Sequence, residues 1–220
     1  MAVPYTLQLA VAFNPARYAP AMTALPVWTT DSASLRLTEE IYAALPEETR
    51  RSLEVIDGHV MFCRRGEVEH SIVARRLAQA LDANRPTELR TRVVTDFEMH
   101  FRRDRPTGRS FSFRRPAVAL HQCFHDDRDL ITSEVLLVAE VVSPGFGYVE
   151  TVDKVAEYAD EGIPIYLVVH LDTERKAKII QEHRLDRASN TYRLVATHQD
   201  TLCLSDPFEV VVPFADLDAI

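Results

Sequence analysis

Apolar positions along the chain change period several times, and each change marks an element. From Glu69 to Asn84, Val73, Leu77 and Leu81 recur every four residues with Ile72 and Ala80 beside them, while Arg75, Arg76 and Gln79 fall elsewhere. This predicts an amphipathic helix closed by Pro86. Thr91 to Phe101 alternates instead, with Val93, Phe97, Met99 and Phe101 on one face and Arg92, Asp96, Glu98 and His100 on the other. That period predicts one half-buried strand. Upstream, Leu53–Ile56 and Val60–Phe62 flank Asp57-Gly58, a dipeptide that tolerates positive φ at both centres of a tight hairpin turn. Leu37-Thr38-Glu39-Glu40 reads as the start of a short helix capped by Thr38 and closed by Pro46.

Beyond Arg114 the runs become apolar on both faces. Ala117–Leu120 and Val135–Val142 predict strands separated by the acidic loop His125–Asp129, and the second run suits a central strand covered on both sides. After Ser143-Pro144-Gly145, Glu150–Glu161 reads as a helix ended by Gly162, and Ile165–Leu171 as a further strand. A strand–helix–strand crossover returns parallel, so a mixed α/β sheet follows. Weaker strand signals lie at Lys178–Gln181, Tyr192–Val195 and Glu209–Val212. Residues 1–21 read as an N-terminal extension with Met22 as an alternative start, and residues 22–220 as a single domain.

Glu140 breaks the most apolar run, between Ala139 and Val141. A carboxylate in a covered strand needs a cation, whether Arg, Lys or a bound metal, because an unpaired buried charge costs several kcal/mol. The bland alternative is a solvated or salt-bridged residue at a strand end.

Charge sharpens the picture. The net charge of −8 disfavours a nonspecific nucleic-acid coat, yet residues 50–115 carry fifteen basic groups, all Arg, against nine acidic ones. The pairs Arg50-Arg51, Arg64-Arg65, Arg75-Arg76, Arg102-Arg103 and Arg114-Arg115 suit either a phosphate-facing rim or an ordinary polar surface. Cys63, Cys123 and Cys203 form no CxxC pair, which fits a reducing cytoplasm. The longest charge-free apolar stretches fall far short of the roughly 20 residues needed to span a bilayer, so no membrane role is expected. His121, Cys123 and His125 alternate as HxCxH, a weak zinc pattern whose alternative is a strand running into a polar loop.

EVVSPG at 140–145 followed by DKVAEYADEGIPIY at 153–166 resembles the restriction-endonuclease-type Uma-two family of the PD-(D/E)xK nuclease superfamily. LEVIDG at 53–58, His70 with its Arg/Leu-rich helix, and Arg114-Arg115-Pro116 extend the likeness. The resemblance implies a restriction-endonuclease-like fold, a mixed central β-sheet flanked by helices with an N-terminal helix and β-hairpin. It also implies Mg²⁺- or Mn²⁺-dependent phosphodiester hydrolysis in which carboxylates hold the metal against a phosphate and a lysine orients or deprotonates water. By position, Glu140 is the metal carboxylate, the Val141 carbonyl a further ligand and Lys154 the lysine, since Val142 replaces the superfamily's usual one. Without the resemblance, Lys154 reads as an exposed partner of Glu150. Glu54 and His70 are candidates to approach the pocket, or structural residues.

The sequence departs from the family at residue 117, where Ala117 stands in place of the Asp of Pro-Asp. Alanine offers no ligand, so metal binding is expected to be weakened. The chain is then a decayed nuclease, an altered copy, or one in which Glu98, Asp126, Asp127 or Asp129 substitutes. The competing expectations are a noncatalytic nucleic-acid or protein-binding module on the same fold, and an enzyme repurposed for a small molecule. Homodimerisation is expected by analogy with enzymes that cut two strands.

Overall fold

The computed structural model describes residues 36–62, 68–102, 110–123, 129–144 and 148–218. The expectations for residues 1–21, for Asp126 and Asp127, and for His125 as a zinc ligand lie outside these residues.

Two short helices, α1 (Glu39–Ala43) and α2 (Glu47–Arg50), precede the hairpin of β1 (Leu53–Ile56) and β2 (His59–Phe62). Thr38 caps α1 as expected, its hydroxyl accepting from the Ile41 amide at 3.3 Å. Pro46 does more than close α1. Its fixed φ suits a helix start, and it is the N-cap of α2. At the hairpin turn Asp57 and Gly58 both have positive φ, 51° and 79°, and Ile56 pairs with His59.

Helix α3 (Val68–Asn84) leads to β3 (Thr91–Val94), β4 (Met99–His100), β5 (Phe113–Arg114), β6 (Val118–Gln122), β7 (Leu130–Ile131) and β8 (Val135–Val142). Helix α4 (Tyr148–Asp160) then crosses to β9 (Ile165–Leu171), followed by β10 (Ala177–Asp186), β11 (Thr191–His198), β12 (Thr201–Leu204) and β13 (Val210–Pro213). The main sheet has the order β11-β10-β9-β8-β6-β3, with β8 and β9 parallel and the remaining pairs antiparallel. A second sheet, β2-β1-β5-β4-β7, carries the hairpin, and β12 pairs with β13.

The predicted strand over Thr91–Phe101 is two strands in two sheets. The chain breaks at Asp96, which adopts φ 50°, so β3 joins the main sheet while β4 joins the smaller one. Phe97, expected on the buried face, is 49% exposed as a result.

The central strand β8 is covered on both faces. Leu137, Ala139 and Val141 pack with Val73, Leu77 and Leu81 of α3, each of these three contributing roughly 1.5–3 kcal/mol by burial. Val138 lies in the second core with Tyr158 of α4, Ile163, Tyr166 and Val168. The two-residue period of a strand therefore sends Glu140, two residues after Val138, towards α4. Helix α4 stops where Gly162 takes φ 79°. The Ile163 amide donates to Tyr158 O and the Gly162 amide to Ala159 O, the paired bonds of a Schellman cap.

Candidate functional site

Lys154, Glu157 and Tyr158 lie three and four residues apart, so one face of α4 presents all three. Glu140, 9% exposed, meets that face: its Oε1 accepts from Lys154 Nζ at 2.9 Å and from the Tyr158 hydroxyl at 2.8 Å. The partner that the sequence demanded for Glu140 is thus Lys154. This is not the exposed surface pair that was the alternative reading, since the Lys154 side chain is only 16% exposed.

Strand β1 delivers the second carboxylate. Val55 pairs with Phe113 of β5, which brings Glu54 beside Arg114. Glu54 accepts from Arg114 Nη1 and from the Arg115 amide, both at 2.8 Å, and lies 3.8 Å from Lys154 Nζ. Arg114, 2% exposed, also grips Glu157 with Nε and Nη2 at 2.8 and 2.7 Å. Three carboxylates face two cations, leaving one net negative charge in a largely buried cluster.

The electrostatics follow from this arrangement. Burial pushes the Glu54 carboxyl up, but Lys154, Arg114 and the Arg115 amide outweigh it and hold Glu54 below its ordinary value. Burial likewise pushes Lys154 down, and Glu140 and Glu54 reverse the effect and keep it a firmly protonated ammonium. Tyr158 and Tyr166 are raised by burial and by the charge of Glu140, so both stay neutral phenols. The Tyr166 hydroxyl is buried without a hydrogen-bond partner among the described residues.

His70, near the start of α3, is held below its ordinary value mainly by burial, with the charges of Glu140, Lys154 and Asp96 also acting on it. Asp96 is a further acidic residue of this region, one that its alternating surroundings do not single out. Its amide donates to Pro116 O at 3.2 Å, and its carboxyl, raised mainly by burial, is coupled to Glu54 and His70. Asp accepts the left-handed conformation more readily than most residues, but nothing in the alternating pattern marked this position.

Of the proposed substitute carboxylates, Glu98 is committed elsewhere. It accepts from Arg115 Nη2 at 2.5 Å and from the Tyr42 hydroxyl, whose pKa burial and Glu98 push up to about 12. Asp129 is exposed. Val141 pairs with Val169 and turns its side chain into the α3-side core. At HxCxH, His121 Nδ1 lies 3.1 Å from Gln122 O, and no group of three His, Cys, Asp or Glu among the described residues is arranged to hold a metal. Arg114 and Arg115, expected as part of a solvent-facing rim, instead turn inward to Glu54, Glu157 and Glu98.

Ala117 precedes Val118, which pairs with Ala139 in an antiparallel register. One step further along that register, residue 117 lies beside Glu140. Its methyl packs against the α3-side core. A divalent cation would need several oxygen ligands here. Glu140 and Glu54 already serve internal cations, the Ala117 side chain contributes no oxygen, and no group of three His, Cys, Asp or Glu among the described residues is arranged to hold a metal. The residues present do not make a complete divalent-cation site.

A family model described as "Uma2: Putative restriction endonuclease" matches residues 39–215. A solved structure from Anabaena variabilis, described as a "putative nuclease belonging to DUF820", superposes with a TM-score of 0.57 at 13% identity. That match covers 82% of this chain and 97% of the other, and it shows a shared fold. A comparison with curated proteins finds no match. With the family model spanning most of the sequence, including both halves of the Glu54–Glu140–Lys154 cluster, the chain belongs to the Uma2 family, of restriction-endonuclease type.

Proposed function

We propose that this protein is a nuclease built on a scaffold for Mg²⁺- or Mn²⁺-assisted phosphodiester hydrolysis, and that Ala117 impairs its activity. The observation that carries this reading is the register: extending the β6–β8 pairing by one residue sets the backbone of 117 opposite Glu140, and the Ala117 methyl, which touches the α3-side core, leaves that place without a second carboxylate. Glu140 is the surviving metal carboxylate, with the Val141 carbonyl next to it, and Lys154 is the lysine of the same pocket. Nucleic acid is the substrate class, approached through the exposed part of the arginine-rich segment 50–115.

The test is cleavage of supercoiled plasmid and single-stranded DNA at fixed low salt with Mg²⁺ or Mn²⁺, for the parent, Ala117→Asp and Ala117→Asp/Glu140→Ala. The expected result is cleavage by Ala117→Asp alone. Silence in all three variants would overturn the nuclease reading.

The closed charge cluster favours a second reading, a noncatalytic nucleic-acid-binding module. DNA binding that persists undiminished in EDTA, with no cleavage by Ala117→Asp, is its signature.

A further inference from the structure

The carboxylates of a metal-assisted nuclease face inward and repel one another, so some cation must hold them together. Here that cation belongs to the chain. Lys154 Nζ stands 2.9 Å from Glu140 Oε1 and 3.8 Å from Glu54 Oε1, between a strand of the main sheet and the hairpin of the smaller one. Arg114 cannot take its place, because its described bonds go to Glu54 and Glu157 and none reaches Glu140. Tyr158 donates to Glu140 but carries no charge.

We propose that Lys154 is the resident cation of this pocket: its ammonium bridges Glu54 and Glu140 and, with Ala117 at the neighbouring position, keeps divalent cations out. This rests on the reading above only in taking Glu140 as the carboxylate of a metal site. In this role Lys154 is a positioning residue. An ammonium held between two carboxylates cancels the charge that would attract a metal.

The charge balance gives the proposal its edge. The hydrogen-bonded cluster of Glu54, Glu140, Glu157, Lys154 and Arg114 carries one net negative charge, and two changes raise this to two. Ala117→Asp adds a carboxylate. Lys154→Met removes the ammonium while keeping an unbranched stem in the same space. Both variants should therefore gain divalent-cation binding, by unrelated chemical means. Lys154→Arg keeps the positive charge and should not.

Mn²⁺ serves as the probe, its free concentration read from the solution EPR signal at pH 7. The expected result is no measurable uptake by the parent or Lys154→Arg, and at least tenfold tighter uptake by Lys154→Met, abolished in Lys154→Met/Glu140→Gln. Equal uptake by the parent and Lys154→Met, or none by a folded Lys154→Met, overturns the proposal. A second measurement needs no Lys154 variant. Amine acylation of the native protein, read by mass spectrometry, should spare Lys154 relative to the exposed Lys176 and Lys178, and Glu140→Gln should remove that protection. Lys154 reacting as fast as Lys176 in the parent also overturns it. Neither assay reads cleavage, so a failure of the nuclease reading leaves these outcomes unaffected.

Discussion

Arg114 ties the hairpin sheet to α4 through a planar guanidinium that no lysine reproduces, a fork on Glu157 with a further N–H on Glu54. Its removal takes both described bonds from Glu157 and one from Glu54, and Arg114 itself is only 2% exposed. Arg114→Met is therefore expected to cost about 3–5 kcal/mol in urea unfolding, whereas breaking an exposed pair such as Lys176–Glu174 should change little. The two buried tyrosines give a sharper contrast. Tyr158 bonds Glu140, so Tyr158→Phe should destabilise by about 1–3 kcal/mol, whereas the Tyr166 hydroxyl has no described partner and Tyr166→Phe should be neutral or stabilising. His70 sets a pH dependence. Burial holds it below its ordinary value of 6.5, against the pull of Glu140. A group depressed on folding contributes stability that is present above the unfolded value and lost as pH falls through the folded one. Stability should thus decline below about pH 6.5, and His70→Gln should flatten that decline in unfolding titrations between pH 7 and 5.5. At this scale the sequence revealed the need for a counter-ion, since Glu140 interrupts an otherwise apolar run. It did not reveal Arg114, because an arginine pair in a polar stretch reads the same whether it points out or in.

Elements were most legible where local chemistry and tertiary packing agree. The Asp57-Gly58 turn, the α3 stripe and the β8–α4–β9 crossover all stand as the pattern predicts, since each depends on contacts close in sequence or on burial of a whole face. The strand at Thr91–Phe101 failed for a physical reason. Alternation continues through Asp96, but the φ of 50° there rotates the chain out of one sheet and into another, and a two-residue period cannot register such a switch. Similarly β12, Thr201–Leu204, is too short to stand out, and its pairing with β13 is what makes it a strand. The hairpin turn also has a tertiary duty that the dipeptide alone does not announce. The Gly58 amide donates to Phe111 O, its carbonyl accepts from the Leu37 amide, and a Cβ there would sit 3.1 Å from Arg36 Cβ. Gly58→Ala should cost at least about 1–2 kcal/mol, measured by thermal or urea unfolding, with Asp57→Asn closer to neutral.

For the whole molecule, the membership in a restriction-endonuclease-type family and the mixed sheet were both legible in EVVSPG and the KxxxYxxxGIPxY spacing. The state of the pocket was legible only in part. Ala117 is plain in the sequence, but its position beside Glu140 comes from the pairing of β6 with β8, and the bridging of Glu54 by Lys154 comes from the apposition of two sheets. The arginine excess of residues 50–115 shrinks as an outward feature once Arg114 and Arg115 are seen to neutralise internal carboxylates. No helix among the described residues is long and apolar enough to cross a membrane. A missing carboxylate at 117 and a bridging ammonium at 154 should together leave the pocket unable to hold a divalent cation. Anomalous scattering at the manganese edge, from Mn²⁺-soaked crystals of the parent and of Ala117→Asp, tests it most directly. A manganese peak is expected beside Glu140 in Ala117→Asp, with Lys154 drawn away, and none in the parent. A peak beside Glu140 in the parent, or its absence from Ala117→Asp, would contradict it.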